Sequence, residues 1–493
     1  MTAKRSTTTF IVDTGDEVSQ SDYLRVTRAG LKIKYDQDQI GYLVVEGSET
    51  DVKRLSYDYA PDVEMSLDAP ETTVDATGVD LSEMAADAEG PVPDDGHIQP
   101  PANYAFQWDK QFFGLEELVE QVTGDGVTIA VIDTSMYYDH PDLSPNFNVA
   151  DSMAVVEDGY GVFHPLGNDH GTHVAGIAAA ASGGGVIGMA PEAEILGIRY
   201  FSPDVTGGAA EFTEAVMYAA ENADVINTSL GFPPVLRNRE NLEFFQDYYQ
   251  AVDAYAIAND AVWVSSAGND MSNATEDDLT IMPADLEYNL AISATGPIGF
   301  GYELFDGEDF DGIVSGPTTP ANYTDHGRHY VDIAAPGGNY DPEMTEELPP
   351  GSDLPAYAYD LVFNAIFTME GGEIAPGYGW KAGTSMSAPN VAGIAALIRE
   401  ANPDATAYQV QRLLKATADP SVGSPVYLGN GFVDPHAALE ADLPDDRPGR
   451  GTTEGGRDDR SRDDVGIGRG DGGSGGESGR RYRGRSGGSP SRR

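Results

Sequence analysis

The chain has 493 residues, with 81 acidic side chains against 29 basic, a formal charge of −52, and no cysteine. Lack of cysteine excludes disulfides, thiol nucleophiles and cysteine-ligated metal centres. The charge argues against nucleic acid as a partner of the main body, since phosphates are repelled, and no apolar run approaches the ~18 residues of a membrane span. The charge is unevenly spread. Residues 445–493 carry 12 Arg and 9 acids, which leaves 17 basic and 72 acidic side chains in residues 1–444, or −55. Self-repulsion of this size destabilises a compact domain in dilute buffer, whereas at molar salt the Debye length shrinks to ~3 Å and the penalty fades. A salt-rich milieu is the expected setting.

In chain order, Met1–Arg5 is a small basic cluster with no apolar core of about 7–15 residues behind it, so no secretory leader is expected in the sequence as it stands. The compartment is open: cytoplasmic if this start is the true one, secreted if the start is truncated. Thr7–Val12 and Ile40–Glu46 read as strands, and Ser48–Leu55 as weakly helical, giving a small α+β unit over residues 1–67. Residues 68–100 hold nine acids and no Lys or Arg, with several Pro and Gly, so 68–96 is expected to be a solvated acidic linker. From 97 to 443 apolar strands alternate with small-residue helices. Val127–Ile132 is a continuous apolar run, as in a strand buried on both faces, followed by Ala193–Ile198, Val225–Asn227, Ala261–Val264, Leu290–Ser293 and Tyr330–Ala334. Glu211–Asn222 and Asn390–Ala401 show helical spacing. This alternation predicts an α/β fold with a mostly parallel, doubly wound sheet. Residues 444–493 are rich in Gly, Arg, Asp and Ser and are expected to be a disordered tail.

Three segments carry chemistry, each at a strand end or a helix start. Asp133 follows the apolar strand in Val131-Ile132-Asp133-Thr134-Ser135. His170 lies in Asp169-His170-Gly171-Thr172-His173-Val174-Ala175-Gly176, and Ser385 in Gly383-Thr384-Ser385-Met386-Ser387-Ala388-Pro389. A serine at a helix start sits near free backbone N–H groups and the positive dipole end. Its hydroxyl is a poor nucleophile until a base such as histidine takes the proton, and an aspartate on the other ring nitrogen fixes the tautomer. His170 and His173 share a helix face, but no glutamate of the zincin pattern accompanies them, so a packing role is expected for His173.

The order Asp…His…Ser and the wording "VIDTSMYYDHPDL", "HGTHVAG" and "GTSMSAPNVAG" resemble the signature segments of the subtilisin-like serine proteases, the subtilases. "ADVINTSLG", "SSAGND", "VDIAAPGG" and "GNGFVDPHAALE" extend the resemblance over about residues 97–443. It implies a three-layer α/β/α fold and a serine endopeptidase working through an acyl-enzyme on Ser385, with His170 and Asp133 completing the triad. Asn269 matches the family's oxyanion-hole asparagine, with the Ser385 backbone N–H as second donor. Ser229, Leu230 and Gly231, with Ser266, Ala267 and Gly268, match positions that flank the primary substrate pocket and imply an extended peptide bound with broad, apolar preference.

The resemblance further implies protein or peptide substrates, a monomer, no membrane or nucleic-acid partner, and no cofactor for the chemistry. Residues 1–67 stand where the family carries a propeptide, so they are expected to act as an intramolecular inhibitor, with processing inside 68–100. A structural calcium is an open alternative at Asp142, although the loop Ala181–Val186 lacks the family's side-chain amide ligand. The acidic stretch Asp306–Asp311 fails the EF-hand pattern at Phe310. Residues 340–378 read as an insertion near the nucleophile. The alternative function is a catalytically silent protein that keeps the fold for binding. A second is a nucleic-acid role for the Arg480–Arg485 stretch of the tail.

Overall fold

In the computed structural model the described residues are 8–15, 17–66, 72–75, 101–156, 168–182, 184–202, 206–231, 234–237, 241–299, 315–341, 354–370 and 373–445. The chain divides into two compact units, Met1–Gly451 and Thr452–Arg493; the second, and with it almost all of the expected tail, lies outside the described residues.

The first unit opens with an antiparallel sheet of β1 (Thr8–Asp13), β2 (Lys32–Gln37), β3 (Tyr42–Gly47) and β4 (Asp58–Pro61), in the order β2-β3-β1-β4. Helix α1 (Gln20–Ala29) starts in a capping box, where the Ser19 N–H donates to Asp22 Oδ2 at 2.8 Å, and stops at Gly30 with φ 81°. Alternation along the strands gives the sheet two apolar faces. Phe10, Val12, Leu43 and Val45 pack with Val26 of α1, whereas Ile11, Tyr42 and Val44 join the core of the following α/β body. The sequence showed two of these strands; α1, β2 and β4 are amphipathic and charge-rich, so their apolar stripe is thin.

Two short strands follow, β5 (Glu64–Ser66) and β6 (Thr72–Asp75). Within the stretch expected to be a solvated linker, Thr72–Asp75 is therefore a strand. Its β-branched Thr72-Thr73-Val74 run suits one, and Val74 packs against the main core.

The body is built on a seven-stranded parallel sheet. Its strands are β7 (Thr128–Asp133), β8 (Met153–Ala154), β9 (Glu194–Arg199), β11 (Val225–Thr228), β13 (Val262–Ser266), β15 (Leu290–Thr295) and β16 (Ile333–Pro336), ordered β16-β15-β13-β11-β7-β9-β8. Outside it, β10 (Thr206–Gly208) pairs with β5, and β12 (Val235–Leu236) with β14 (Leu279–Thr280). Side chains alternate as the apolar runs require. Ile129 and Val131 face α2 (His170–Ala179) and α5 (Thr384–Ala401); Ala130 and Ile132 face α3 (Ala209–Asn222) and α4 (Leu242–Ala258). The result is the mostly parallel, doubly wound sheet that the alternation predicts, in the three-layer α/β/α fold that the resemblance implies. Beyond it, α6 (Ala407–Thr417) packs on α5.

The expected insertion, 340–378, leads into a long antiparallel hairpin, β17 (Val362–Glu370) with β18 (Glu373–Ala382), which runs four residues past its expected end, and β6 forms the third strand. The hairpin covers α2: a Cβ on Gly176 would collide with the Asn364 side chain, so the strand lies directly on the helix backbone. Among the described residues no helix is long and apolar enough to cross a membrane.

Candidate active site

Asp133 ends β7 at the carboxyl edge of the sheet, where side chains of a doubly wound fold converge. It is fully buried, and its Oδ1 accepts the Thr134 N–H at 2.6 Å and the His170 Nδ1–H at 2.7 Å. The second bond fixes the imidazole tautomer and leaves Nε2 free to act as a base. His170 opens α2, and the neighbouring Gly171 N–H donates to Thr134 Oγ1 at 2.8 Å, tying the helix start to the strand end.

Ser385 lies in the first turn of α5 and is also buried. Pro389, four residues on, has no N–H to give to the Ser385 carbonyl. The Ser229 hydroxyl takes that place, donating to Ser385 O at 2.8 Å, while Ser385 Oγ donates to Ser229 O at 3.2 Å. The structure thus holds the Ser385 hydroxyl on Ser229, with His170 Nε2 buried and unpartnered. A Cβ at Gly393 would lie 3.0 Å from the Ala178 carbonyl oxygen, so α5 and α2 touch there. These positions stand eight residues past Ser385 and His170 respectively, and both helices leave the carboxyl edge of the sheet, so their N-termini lie level.

Asn269 turns its Oδ1 to the Thr384 N–H and hydroxyl, each at 2.9 Å. Its Nδ2 then points the other way. A Cβ placed on Gly383 would be 3.6 Å from Asn269 Nδ2 and 3.7 Å from the Ser385 nitrogen, so these two donors converge on the space above Gly383. An oxygen that acquires negative charge there meets two N–H groups and the α5 dipole.

Ser229–Gly231 follows β11 and Ser266–Gly268 begins at the last residue of β13, the adjacent strand, and Ser266 Oγ donates to Leu230 O at 3.5 Å. Gly268 has φ 112°, and a side chain there would collide with the Asp325 carboxylate. Reading the sequence missed β10, whose Thr206–Gly208 accepts β5 as an added antiparallel strand; three small residues before a helix carry no strand signal. It also missed Lys381, which is buried and pairs with Asp169 beside His170 at 3.0 Å.

His173 is fully buried, with Nε2 3.3 Å from Gly379 O, and burial together with nearby Lys381 and His170 drives its pKa well below the usual value. Its surroundings are those of a core side chain packed against β18. Asp142 does not suit calcium. Its carboxylate accepts the Tyr378 hydroxyl at 2.9 Å and the Gly185 N–H at 2.9 Å, and Gly184 packs too close to Oδ1 for a Cβ. Donors point at these oxygens where a cation needs acceptors around it. Burial raises the Asp142 pKa, with Tyr378 and His140 opposing, and lowers that of His140. Asp306–Asp311 lies outside the described residues.

A doubly wound sheet carrying an Asp–His pair and a helix-terminal serine at its carboxyl edge is the arrangement of the α/β serine hydrolases. More narrowly, the chain belongs to the subtilase family, whose model matches residues 124–458. It is 30% identical over 318 residues to a thermophilic serine proteinase of Bacillus sp. (strain AK1), a match covering 64% of this chain and 62% of that protein. It is 31% identical over 323 residues to a probable subtilase-type serine protease of Deinococcus radiodurans (61% and 38% covered), and 29% identical over 319 residues to subtilisin BL of Lederbergia lenta (64% and 92%). The chain therefore spans less than two thirds of the first two relatives. Among solved structures, the epidermin leader peptide processing serine protease of Staphylococcus aureus shares the fold with TM-score 0.66 at 19% identity, over 88% of this chain and 98% of that one. Fervidolysin of Fervidobacterium pennivorans does so with TM-score 0.64 at 21% identity, over 90% and 62%.

Proposed function

We propose that the chain is a serine endopeptidase that hydrolyses peptide bonds through an acyl-enzyme on Ser385. The observation that carries this reading is the buried Asp133–His170 contact of 2.7 Å, level with a serine at the start of α5. In the first step the Ser385 hydroxyl leaves Ser229 and turns to His170 Nε2. That nitrogen takes the proton as Oγ bonds to the scissile carbonyl carbon, and Asp133 stabilises the imidazolium. The tetrahedral oxyanion is held by Asn269 Nδ2 and the Ser385 N–H. The imidazolium then protonates the departing amine. Water, deprotonated by the same nitrogen, attacks the acyl-enzyme and frees the acid. No cofactor enters these steps.

The cleft binds substrate as an extended strand, with Ser229–Gly231 and Ser266–Gly268 flanking the pocket. Residues 1–67 act as an intramolecular inhibitor, residues 97–443 as the catalytic domain, and 444–493 as a dispensable tail. The β5–β10 pairing supports the inhibitor role, because it lays an extended segment of the N-terminal region on an edge strand of the body. The charge of −55 on residues 1–444 supports adaptation to high salt.

The test compares the chain with Ser385→Ala in ~3 M salt, where repulsion is screened. Casein hydrolysis and labelling by a serine-reactive phosphonate are expected in the parent and absent from the variant. A folded parent that neither hydrolyses nor labels leaves the silent binding protein as the function.

A further inference from the structure

Asn269 lies in a loop with two left-handed backbone positions, Gly268 at φ 112° and Met271 at φ 55°. Glycine takes that conformation freely, whereas methionine adopts it only at a cost, so the local sequence alone does not favour this turn. Met271 is exposed, and burial of its own side chain therefore does not offset the cost. The loop is held instead by a second segment, residues 321–326, on the connection between β15 and β16. The Met271 N–H donates to Tyr323 O at 2.8 Å, the His326 N–H to Ser272 O at 2.9 Å, and the Ala274 N–H to His326 O at 2.8 Å.

Within this segment Asp325 is fully buried. Its own N–H donates to Gly268 O at 2.9 Å, and its Oδ1 accepts the N–H groups of Asp270 at 3.1 Å and Ser272 at 2.7 Å. Its Oδ2 lies against Gly268, where a Cβ would collide with it. One residue therefore grips the loop on both sides of Asn269. Bonds from backbone N–H groups to a carboxylate are charge-assisted, and low local dielectric strengthens them further. The far end of Asn269 is fixed separately. Thr384 donates twice to its Oδ1, and Thr384 Oγ1 also accepts the Gly268 N–H at 3.1 Å. The direction of Nδ2 is thus set from the side-chain end by α5 and from the main-chain end by Asp325.

We propose that Asp325 is a positioning residue for the oxyanion hole: its carboxylate sets the backbone of the Asn269 loop so that Nδ2 meets the oxygen of the tetrahedral intermediate. The inference rests on the peptidase reading above and extends it. Asp325 is placed to act through Asn269, without a bond to the nucleophile or the base. Misalignment of Nδ2 is felt only once the substrate oxygen carries charge, so it lowers kcat and leaves ground-state binding of the peptide in place. A plain scaffolding role for Asp325 would instead disturb the pocket wall at Gly268 and raise KM.

The test is a double-mutant cycle on the full chain in ~3 M salt, with Asp325→Ala, Asn269→Ala and the two combined. Each protein is checked for folding by circular dichroism and compared in forms that intact mass shows to be processed to the same extent. kcat and KM are measured separately on an internally quenched peptide. Outright removal of one oxyanion donor costs about 10²–10³ in kcat, and misplacing it costs less. Asp325→Ala is expected to lower kcat about ten- to a hundredfold with KM held within about twofold. In the Asn269→Ala background the same change is expected to lower kcat by less than about twofold, because the donor it positions is already gone. Asp325→Asn keeps an oxygen for the two amides and is expected to restore kcat to within about threefold of the parent.

An equal fall in kcat with and without Asn269 overturns the inference, since the carboxylate then acts on something other than the asparagine. An unchanged kcat also overturns it, as does a loss confined to KM. Should Asp325→Ala not fold, Asp325→Ser, which leaves a shorter acceptor in place, is carried through the same cycle and judged by the same non-additivity. A folded parent that neither hydrolyses the peptide nor labels with the phosphonate removes the peptidase reading itself, and the inference with it.

Discussion

Pro389 shows how a single residue prepares the site. It withholds an N–H from the Ser385 carbonyl, and Ser229 supplies the missing donor from a different strand end. Asn269 works similarly, since two bonds from Thr384 to its Oδ1 aim its Nδ2 above Gly383. Asp133, His170, Asn269 and Ser385 were legible because each sits in a contiguous motif at a strand end or helix start. Tyr378 and Lys381 were not, because their partners Asp142 and Asp169 lie 236 and 212 residues away in sequence. The Tyr378–Asp142 bond carries the prediction at this scale. Tyr378→Phe keeps the ring and removes the donor, leaving a buried carboxylate oxygen underpaired at a cost of about 1–3 kcal/mol. Thermal unfolding of the Ser385→Ala protein, with and without this change, is expected to show a lower Tm for the phenylalanine variant. A calcium chelator is expected to leave the Tm of the tyrosine form unchanged; a large fall on chelation would show that a cation holds Asp142 after all.

Elements matter most where the N-terminal sheet meets α3. Strands β7, β9, β11, β13, β15 and β16 were readable because burial on both faces makes them apolar throughout. The interface was not, because it joins short, polar segments. Lys34 and Tyr35 of β2 bond Glu211 of α3, Gln37 donates to Glu214 at 2.8 Å, and Asp62 caps the start of α3 by accepting the Ala210 N–H at 3.2 Å. Burial and the nearby Glu211 push the Asp62 pKa from 3.8 up to about 6, with Lys34 opposing; burial raises Glu214 as well. Tyr200 and Tyr248, also turned to this cluster, titrate far above the range concerned. A carboxyl whose pKa is raised by docking takes up a proton on docking, so its contribution is complete below pH 3.8 and is lost as the pH climbs through 6. Across that window docking weakens by up to about two powers of ten, the span of the shift. After processing, the N-terminal fragment is expected to leave the body faster at pH 7 than at pH 4.5, as followed by size-exclusion chromatography. Asp62→Asn is expected to bring the two rates together; an Asn variant that retains the whole pH dependence places the switch elsewhere.

At the scale of the whole molecule, charge is the dominant fact. All six described lysines are already committed: Lys32 to Glu46, Lys34 to Glu211, Lys53 to Glu49, Lys110 to Asp109, Lys381 to Asp169 and Lys415 to Asp332. The body therefore has no spare lysine among these to offset its excess carboxylates, and solvent ions must do so. Buried pairs such as Lys110–Asp109 are shielded from salt by the surrounding protein, whereas exposed carboxylates repel one another over about 10 Å at 0.1 M and over about 3 Å at 1 M. Salt thus removes repulsion from the folded state while costing few attractive contacts. The Tm of the Ser385→Ala protein, which cannot digest itself, is expected to rise by at least about 5 °C between 0.1 and 1 M NaCl. Simple screening then predicts a plateau, since little repulsion is left beyond 1 M. A continued rise towards 3 M, larger in sulfate than in chloride at equal ionic strength, would instead place the effect in the burial of apolar surface, which excluded salts strengthen whatever the charge. A Tm that falls on adding salt would mean that exposed ion pairs outweigh the repulsion, and the reading of this composition as an adaptation to salt would fail.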